Sequence, residues 1–294
     1  MLRKRLIASA CFIFPMLGIL WLDANFNFGL VGIWSVLTTT VICLVIAGEL
    51  TTMVEGKTAG ATRWVVFLGV VLSHLVIILP EVLAANASID VSRWTLSCGA
   101  LFCVFLLAWL VEVFRFAPEN KSVERVAITF FAFVYSGWLL SFVSAVRVTL
   151  PNVEGAFAVF SILFVIKMSD AGAYFTGKKI GKNKLAPVLS PGKTIEGLFG
   201  GLITAVIAAF VAFWFIKPWL CSIEPPSWWA IAGYAISITL VGVFGDLSES
   251  MIKRQMGCKD SSAWLPGLGG IMDTADSVIL AAPLAYAWWA AGVL

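Results

Sequence analysis

The chain has 294 residues, 60% of them hydrophobic and only 13% charged, with a formal net charge of +3. That charged fraction is about half the globular norm of roughly 25% and excludes an ordinary soluble domain. Apolar runs of about 20 residues recur instead, each long enough to cross a bilayer as a helix. Lipid leaves no backbone polar group unpaired, so the expected fold class is an all-α integral membrane protein. The expectation is a polytopic bundle of about nine transmembrane helices with its N-terminus in the cytoplasm.

In chain order the apolar spans fall near 6–22, 29–50, 64–84, 96–114, 124–146, 152–169, 197–216, 228–245 and 273–293. Arg3-Lys4-Arg5 precedes the first. It reads as the flank of a span rather than the start of a signal peptide, because no clear small-residue cleavage site follows Leu22. With the N-terminus inside and the spans alternating, 16 Lys and Arg residues fall on inner segments and three (Arg93, Arg147 and Lys217) on outer ones. The positive-inside rule supports that orientation. Two regions are expected, 1–150 with the first helices and 151–294 carrying two inner active-site loops. The N-terminal spans hold little polar chemistry. Glu49 and Glu112 read as interfacial, and His74 as a satisfied interior histidine. The six cysteines show no disulfide framework and suit core packing.

The first polar segment, 168–196, carries Asp170 and then Lys178, Lys179, Lys182, Lys184 and Lys193, interleaved with glycines. Ser190 with Pro191 reads as an N-cap and first helical position, which would aim helix-terminal N–H groups at an anion. Gly197 and Gly201 form a small-xxx-small pair, a signal of close packing between helices.

The second segment, 246–272, is richer. If the eighth span continues as helix, Asp246, Glu249, Ser250 and Lys253 fall at i, i+3, i+4 and i+7 on one face, flanked by Arg254. A turn-rich stretch with Pro266, Gly267, Gly269 and Gly270 follows, then Asp273 and Asp276 at the start of the last span. Asp273 can be a helix cap stabilised by the dipole. Alternatively, Asp246 and Asp273 meet at one depth and share a cation. Oxygen ligands with open positions suit Mg²⁺, and Lys253, Arg254 and Lys259 suit phosphate.

Ser250-Met251-Ile252-Lys253-Arg254, Lys259-Asp260, Leu265-Pro266, Gly269-Gly270 and Asp273 with Asp276 resemble the signature of the CDP-diacylglycerol synthase (phosphatidate cytidylyltransferase) family. Asp170-Ala171-Gly172-Ala173-Tyr174, Gly177-Lys178, Gly181-Lys182, Lys184-Leu185, Pro187, Ser190-Pro191, Lys193-Thr194 and Glu196-Gly197 resemble that family's other loop. The resemblance covers about residues 160–294. It implies a membrane enzyme that joins CTP and phosphatidate into CDP-diacylglycerol and releases pyrophosphate. The lipid phosphate would attack the α-phosphorus of CTP. Asp246 and Asp273 would hold Mg²⁺, with room for a second cation such as K⁺. Lys253, Arg254 and Lys259 would lie near phosphates, and Asp260 would bind metal or orient Lys259. Ser190, Lys193, Lys182, Lys184, Asp170, Gly269 and Gly270 would contribute substrate contacts.

The expected partners are CTP, phosphatidate and the lipid bilayer, with a homodimer allowed and no nucleic acid. The expected location is a bacterial inner membrane with the active site facing the cytoplasm. Two positions depart from the family pattern: Leu268 stands where a histidine is usual and Thr274 where an arginine is usual. A related nucleotidyltransferase with another lipid or nucleotide is therefore an alternative. An ion-coupled transporter is a more distant one.

Overall fold

A computed structural model describes residues 18–19, 21–23, 25–87, 92–150, 152–221, 224–262 and 269–294. Among them, seven helical segments are long and apolar enough to cross a membrane. The expected all-α polytopic fold is what the structure has, with one short hairpin added. Most of the first expected span, 6–22, and Leu268 lie outside the described residues.

The chain forms two compact units. One holds the described residues up to Val148 together with Asp260–Thr274. Its helices are α1 (Ile33–Val54), α2 (Arg63–Ala87), α3 (Arg93–Phe114), α4 (Ser122–Phe133) and α5 (Leu139–Thr149). A π-helical turn, Val134–Trp138, makes α4 and α5 one continuous rod. Small residues let these helices approach. A β-carbon at Gly69 would lie 2.6 Å from the Phe133 ring, and one at Gly137 would lie 2.7 Å from Val70. Ile46, Leu50, Val65, Val66, Val70 and Phe133 are fully buried in this unit.

Several polar groups inside this unit find partners, which lowers the cost of burying them in an apolar interior. Arg147, expected on an outer segment, is fully buried on α5 and contacts Asp23 at 3.0 Å. Asp23 also accepts from the Trp34 N–H and the Ser35 hydroxyl. His74 is buried with Nδ1 2.9 Å from the Val70 carbonyl, the satisfied interior histidine expected.

The other unit holds Thr149–Lys259 and Ala275–Leu294. It comprises α6 (Asn152–Ile180), β1 (Lys184–Ala186), β2 (Ser190–Thr194), α7 (Ile195–Val211), a π turn (Ala212–Ile216), α8 (Lys217–Cys221), α9 (Trp228–Gln255) and most of α10 (Ile271–Ala290). The sixth span was expected to stop at 169, but α6 continues to Ile180. The reason lies in packing. Gly172 and Gly177 on α6 face α7, and Gly197 and Gly201 on α7 face α6, where a β-carbon at Gly201 would lie 3.0 Å from the Ser169 carbonyl. The small-xxx-small pair therefore packs as the sequence suggested. Lys178 and Lys179 close α6, where cations complement the helix dipole.

At the far end of the same unit, Lys217 is buried. It lies 3.3 Å from Glu154 and over the Trp289 ring. The ammonium group is thus neutralised in an interior pair.

A candidate carboxylate and lysine centre

The segment between α6 and α7 is a hairpin, not a helix start. β1 and β2 pair antiparallel, with Lys184 opposite Thr194 and Ala186 opposite Ser190. The expected N-cap at Ser190 is therefore corrected: Ser190 lies in β2, and Thr194 caps α7 by accepting the Gly197 N–H at 3.1 Å. Proline at 191 still fits, because a two-stranded ribbon has edges that need no N–H there. Glu196 in the first turn of α7 accepts from the backbone of Lys182 and from Asn183 backbone and side chain. That carboxylate ties the lysine-rich turn to the helix N-terminus.

The hairpin delivers Lys193 to α9. Its Nζ lies 2.6 Å from Asp246 Oδ2. One turn on, Glu249 is buried and Lys253 Nζ reaches it at 2.6 Å, an i,i+4 pair. The sequence placed Asp246, Glu249 and Lys253 on one helical face, and α9 runs unbroken to Gln255. It ends in a Schellman turn, with Gly257 at φ +73 and the Cys258 N–H donating to the Lys253 carbonyl.

Asp276 on α10 completes the cluster. Ligand oxygens of Asp246, Glu249 and Asp276 all lie within 4.8 Å of one another. Glycines permit this approach: a β-carbon at Gly245 would sit 2.6 Å from the Asp276 carbonyl oxygen, and one at Gly242 would sit 3.5 Å from Ser277. Asp170, exposed on α6, lies 3.6 Å from Lys167 and within electrostatic reach of Asp246 and Lys193. Two like charges about 4 Å apart repel by about 4 kcal/mol at an effective dielectric of 20. Three carboxylates in this space therefore demand positive charge, and Lys193 and Lys253 supply part of it. The donor atoms are all oxygens, with no cysteine or histidine in the cluster, which suits a hard cation such as Mg²⁺ rather than zinc.

The other expected residues divide. Lys182, Lys184, Arg254 and Lys259 are exposed, and Ser190 is half-buried. Asp273, Asp260, Gly269 and Gly270 belong to the other unit. There Asp273 Oδ2 accepts from the Ser261 N–H (2.8 Å), the Ser261 hydroxyl (2.8 Å) and the Gly270 N–H (2.7 Å). Reaching back from the first turn of α10 to Gly270 is the acidic half of a capping box. Thr274, where the family pattern has an arginine, donates its hydroxyl to the Gly270 carbonyl within the same turn.

Glu49 is the residue that sequence reasoning misjudged. It is not interfacial but buried, and it accepts from the N–H groups of Ile271 (3.0 Å) and Met272 (2.9 Å). The hydroxyls of Ser262 (2.7 Å) and Ser261 (3.0 Å) also face its carboxylate. Ser261 has one hydroxyl hydrogen and two acidic neighbours, so it serves Glu49 or Asp273 at any instant. An acidic residue within an apolar span was the available signal. Glu112, also expected to be interfacial, is buried on α3 beside Arg125. Glu249 and Asp276 were legible from their helical spacing, although the expected metal ligands were Asp246 and Asp273.

These features define a class: a helical membrane protein with a lysine-flanked acidic centre at the C-terminal end of one helix. Residues 3–291 match the model of the cytidylyltransferase family, and the chain belongs to that family. It is 42% identical over 130 residues to a protein named phosphatidate cytidylyltransferase from Haemophilus influenzae, covering 44% of each chain. A protein of the same name from Staphylococcus aureus strain COL is 40% identical over 131 residues, 45% of this chain and 48% of its own. YnbB, an uncharacterized protein of Escherichia coli K12, is 38% identical over 158 residues, 53% of this chain and 49% of its own. The matched stretch thus spans about half the length of these relatives.

Proposed function

We propose that the protein is a membrane-embedded CTP:phosphatidate cytidylyltransferase, working in a bacterial inner membrane with its centre facing the cytoplasm. One observation carries the reading: in a chain of the cytidylyltransferase family, Asp246, Glu249 and Asp276 converge beside Lys193 and Lys253. Nucleotidyl transfer between two phosphate-bearing substrates calls for this combination, because the barrier is dominated by bringing anions together and stabilising the leaving charge.

In the proposed reaction a phosphate oxygen of phosphatidate attacks the α-phosphorus of CTP. The bond from that phosphorus to the bridging oxygen of the β-phosphate breaks, and pyrophosphate leaves with the electron pair. The attacking oxygen is already anionic at neutral pH, so no general base is needed. The reading accordingly asks nothing of His74, which is buried in the other unit. Asp246, Glu249 and Asp276 would hold Mg²⁺, which when bound neutralises phosphate charge and polarises the phosphoryl group. Lys193 and Lys253, each now paired with a carboxylate of the cluster, would turn toward phosphate oxygens as substrates arrive. Lys193 rides on a hairpin anchored by Glu196 and Thr194, so its stem is pre-positioned.

The test is direct. Purified protein in detergent is given CTP, Mg²⁺ and phosphatidate, and CDP-diacylglycerol and pyrophosphate are measured. Product is expected with the wild type and lost with Asp246→Asn. Absence of product with CTP and phosphatidate sinks the reading. A second reading, the same chemistry on another lipid phosphate or nucleotide, is favoured by Thr274, whose hydroxyl is turned into its own helix where an arginine would offer a phosphate contact. Product with other nucleotides, and none with CTP, would select it.

A further inference from the structure

Outside the carboxylate centre, the first unit carries an open cleft of about 550 Å³ where the loop from α1 to α2 meets the start of α4. It is lined by Arg63, Arg115 and Arg125, by Trp64, and by Glu55 and Thr58. We propose that this cleft binds the phosphate of an anionic phospholipid, using none of the residues of the proposed nucleotidyl-transfer centre.

Three observations carry the proposal. The first is charge. Three guanidinium groups line the cleft against one carboxylate, Glu55, which pairs with Arg63. Arg125 is balanced by Glu112, 3.4 Å away and buried. Arg115 has no carboxylate partner among the described residues, so an excess cation faces the opening. The planar fork of a guanidinium matches phosphate oxygens.

The second is preorganisation. The Ala59 N–H donates to Glu124 (2.9 Å), the Thr62 N–H to Thr129 (2.8 Å), and Arg125 Nε to the Ala59 carbonyl (3.2 Å). Glu124, an acid at the start of α4, is engaged with that N–H and with Lys121. The loop is thus clamped by α4, and a ligand would meet a formed surface with little ordering to undergo.

The third is depth. The cleft is framed by the C-terminal ends of α1 and α3 and the N-terminal ends of α2 and α4, all termini of candidate membrane spans. Trp64, Phe114 and Phe116 stand exposed at those same ends, the position of an aromatic belt at the headgroup level. A phosphate at that level is one that a lipid carries.

Phosphatidylglycerol is the probe, because it is anionic and is not the proposed substrate. The full chain in detergent is titrated with dioctanoyl phosphatidylglycerol, dioctanoyl phosphatidylcholine and inorganic phosphate, and binding is followed calorimetrically. Wild type should prefer phosphatidylglycerol to phosphatidylcholine. Arg115→Gln and Arg63→Gln should each weaken it about fivefold, near the value of one interfacial cation, while Lys178→Gln in the other unit leaves it unchanged. Thermal midpoints should stay near wild type, since both arginines are exposed. Equal affinity for the two lipids, or phosphatidylglycerol binding unmoved by both arginine variants, overturns the proposal. Inorganic phosphate binding as tightly as the lipid overturns the lipid assignment. Cytidylyltransferase activity does not enter the test, so the two proposals fail separately.

Discussion

Two sets of carboxylates behave in opposite ways. Around Glu49 and Asp273, the charges are met by N–H and O–H donors: Ser261, Ser262, Gly270, Ile271 and Met272 surround them. Around Asp246, Glu249 and Asp276 the nearest ion partners are lysines, and the carboxylates crowd one another. The first set is spent on holding a turn and starting a helix. The second keeps electrostatic demand in hand. A carboxylate saturated by fixed dipoles is structural, whereas one opposed by side-chain ammonium groups can exchange its partner for a cation or a substrate. Acidic residues in apolar helices are therefore told apart by their donors, not by their depth.

The sharpest way to break this comparison is to neutralise one member of each set. Asp246→Asn should lower nucleotidyl transfer by about a thousandfold, the scale of removing an electrostatic catalytic group. Mg²⁺ should raise the thermal midpoint of wild type, as ligands of the native state do, and should fail to raise that of Asp246→Asn. Retention of the Mg²⁺ effect in this variant would remove the second set's distinction.

Glu49→Ala should do the reverse. It strips acceptors from buried donors and should cost about 3 kcal/mol. Hydrogen exchange should quicken at the Ile271 and Met272 amides, while the Mg²⁺-dependent shift persists. Unchanged exchange there would mean that the turn is held by something else.

Gly245→Ala tests whether the second set depends on close helix approach. Its new methyl would press on the Asp276 carbonyl, 2.6 Å away, and overpacking costs about 1–3 kcal/mol. Loss of activity beyond loss of stability is expected, read as activity per folded protein. The smallest effect is Thr194→Ala, which removes the α7 cap for about 1 kcal/mol. Because Lys193 is adjacent, its expected signature is a raised KM for the nucleotide with kcat little changed.

Much of the fold was legible. The spans from 29 onward recur as α1 to α7, α9 and α10, and the face of Asp246, Glu249 and Lys253 follows from the 3.6-residue period alone. The misreadings share one cause. Ser190-Pro191 has the local pattern of a helix start, but pairing with Lys184–Ala186 makes it a strand. Span ends chosen by apolarity stopped α6 at 169, although small-residue packing carries it to Ile180.

By itself, the sequence determined what each stretch can do locally. A run of apolar residues must become a membrane helix because its backbone can satisfy itself nowhere else in lipid. Tertiary structure alone decided which distant groups meet. Glu49 and Ser261 lie 212 positions apart, and nothing in the periodicity around either announces the other. Asp276 comes close to Asp246 where Gly245, lacking a side chain, lets α10 approach α9. Pairing across such separations is set by packing shape and by the energy of leaving a buried charge unmet, and those exist only once the helices are in place.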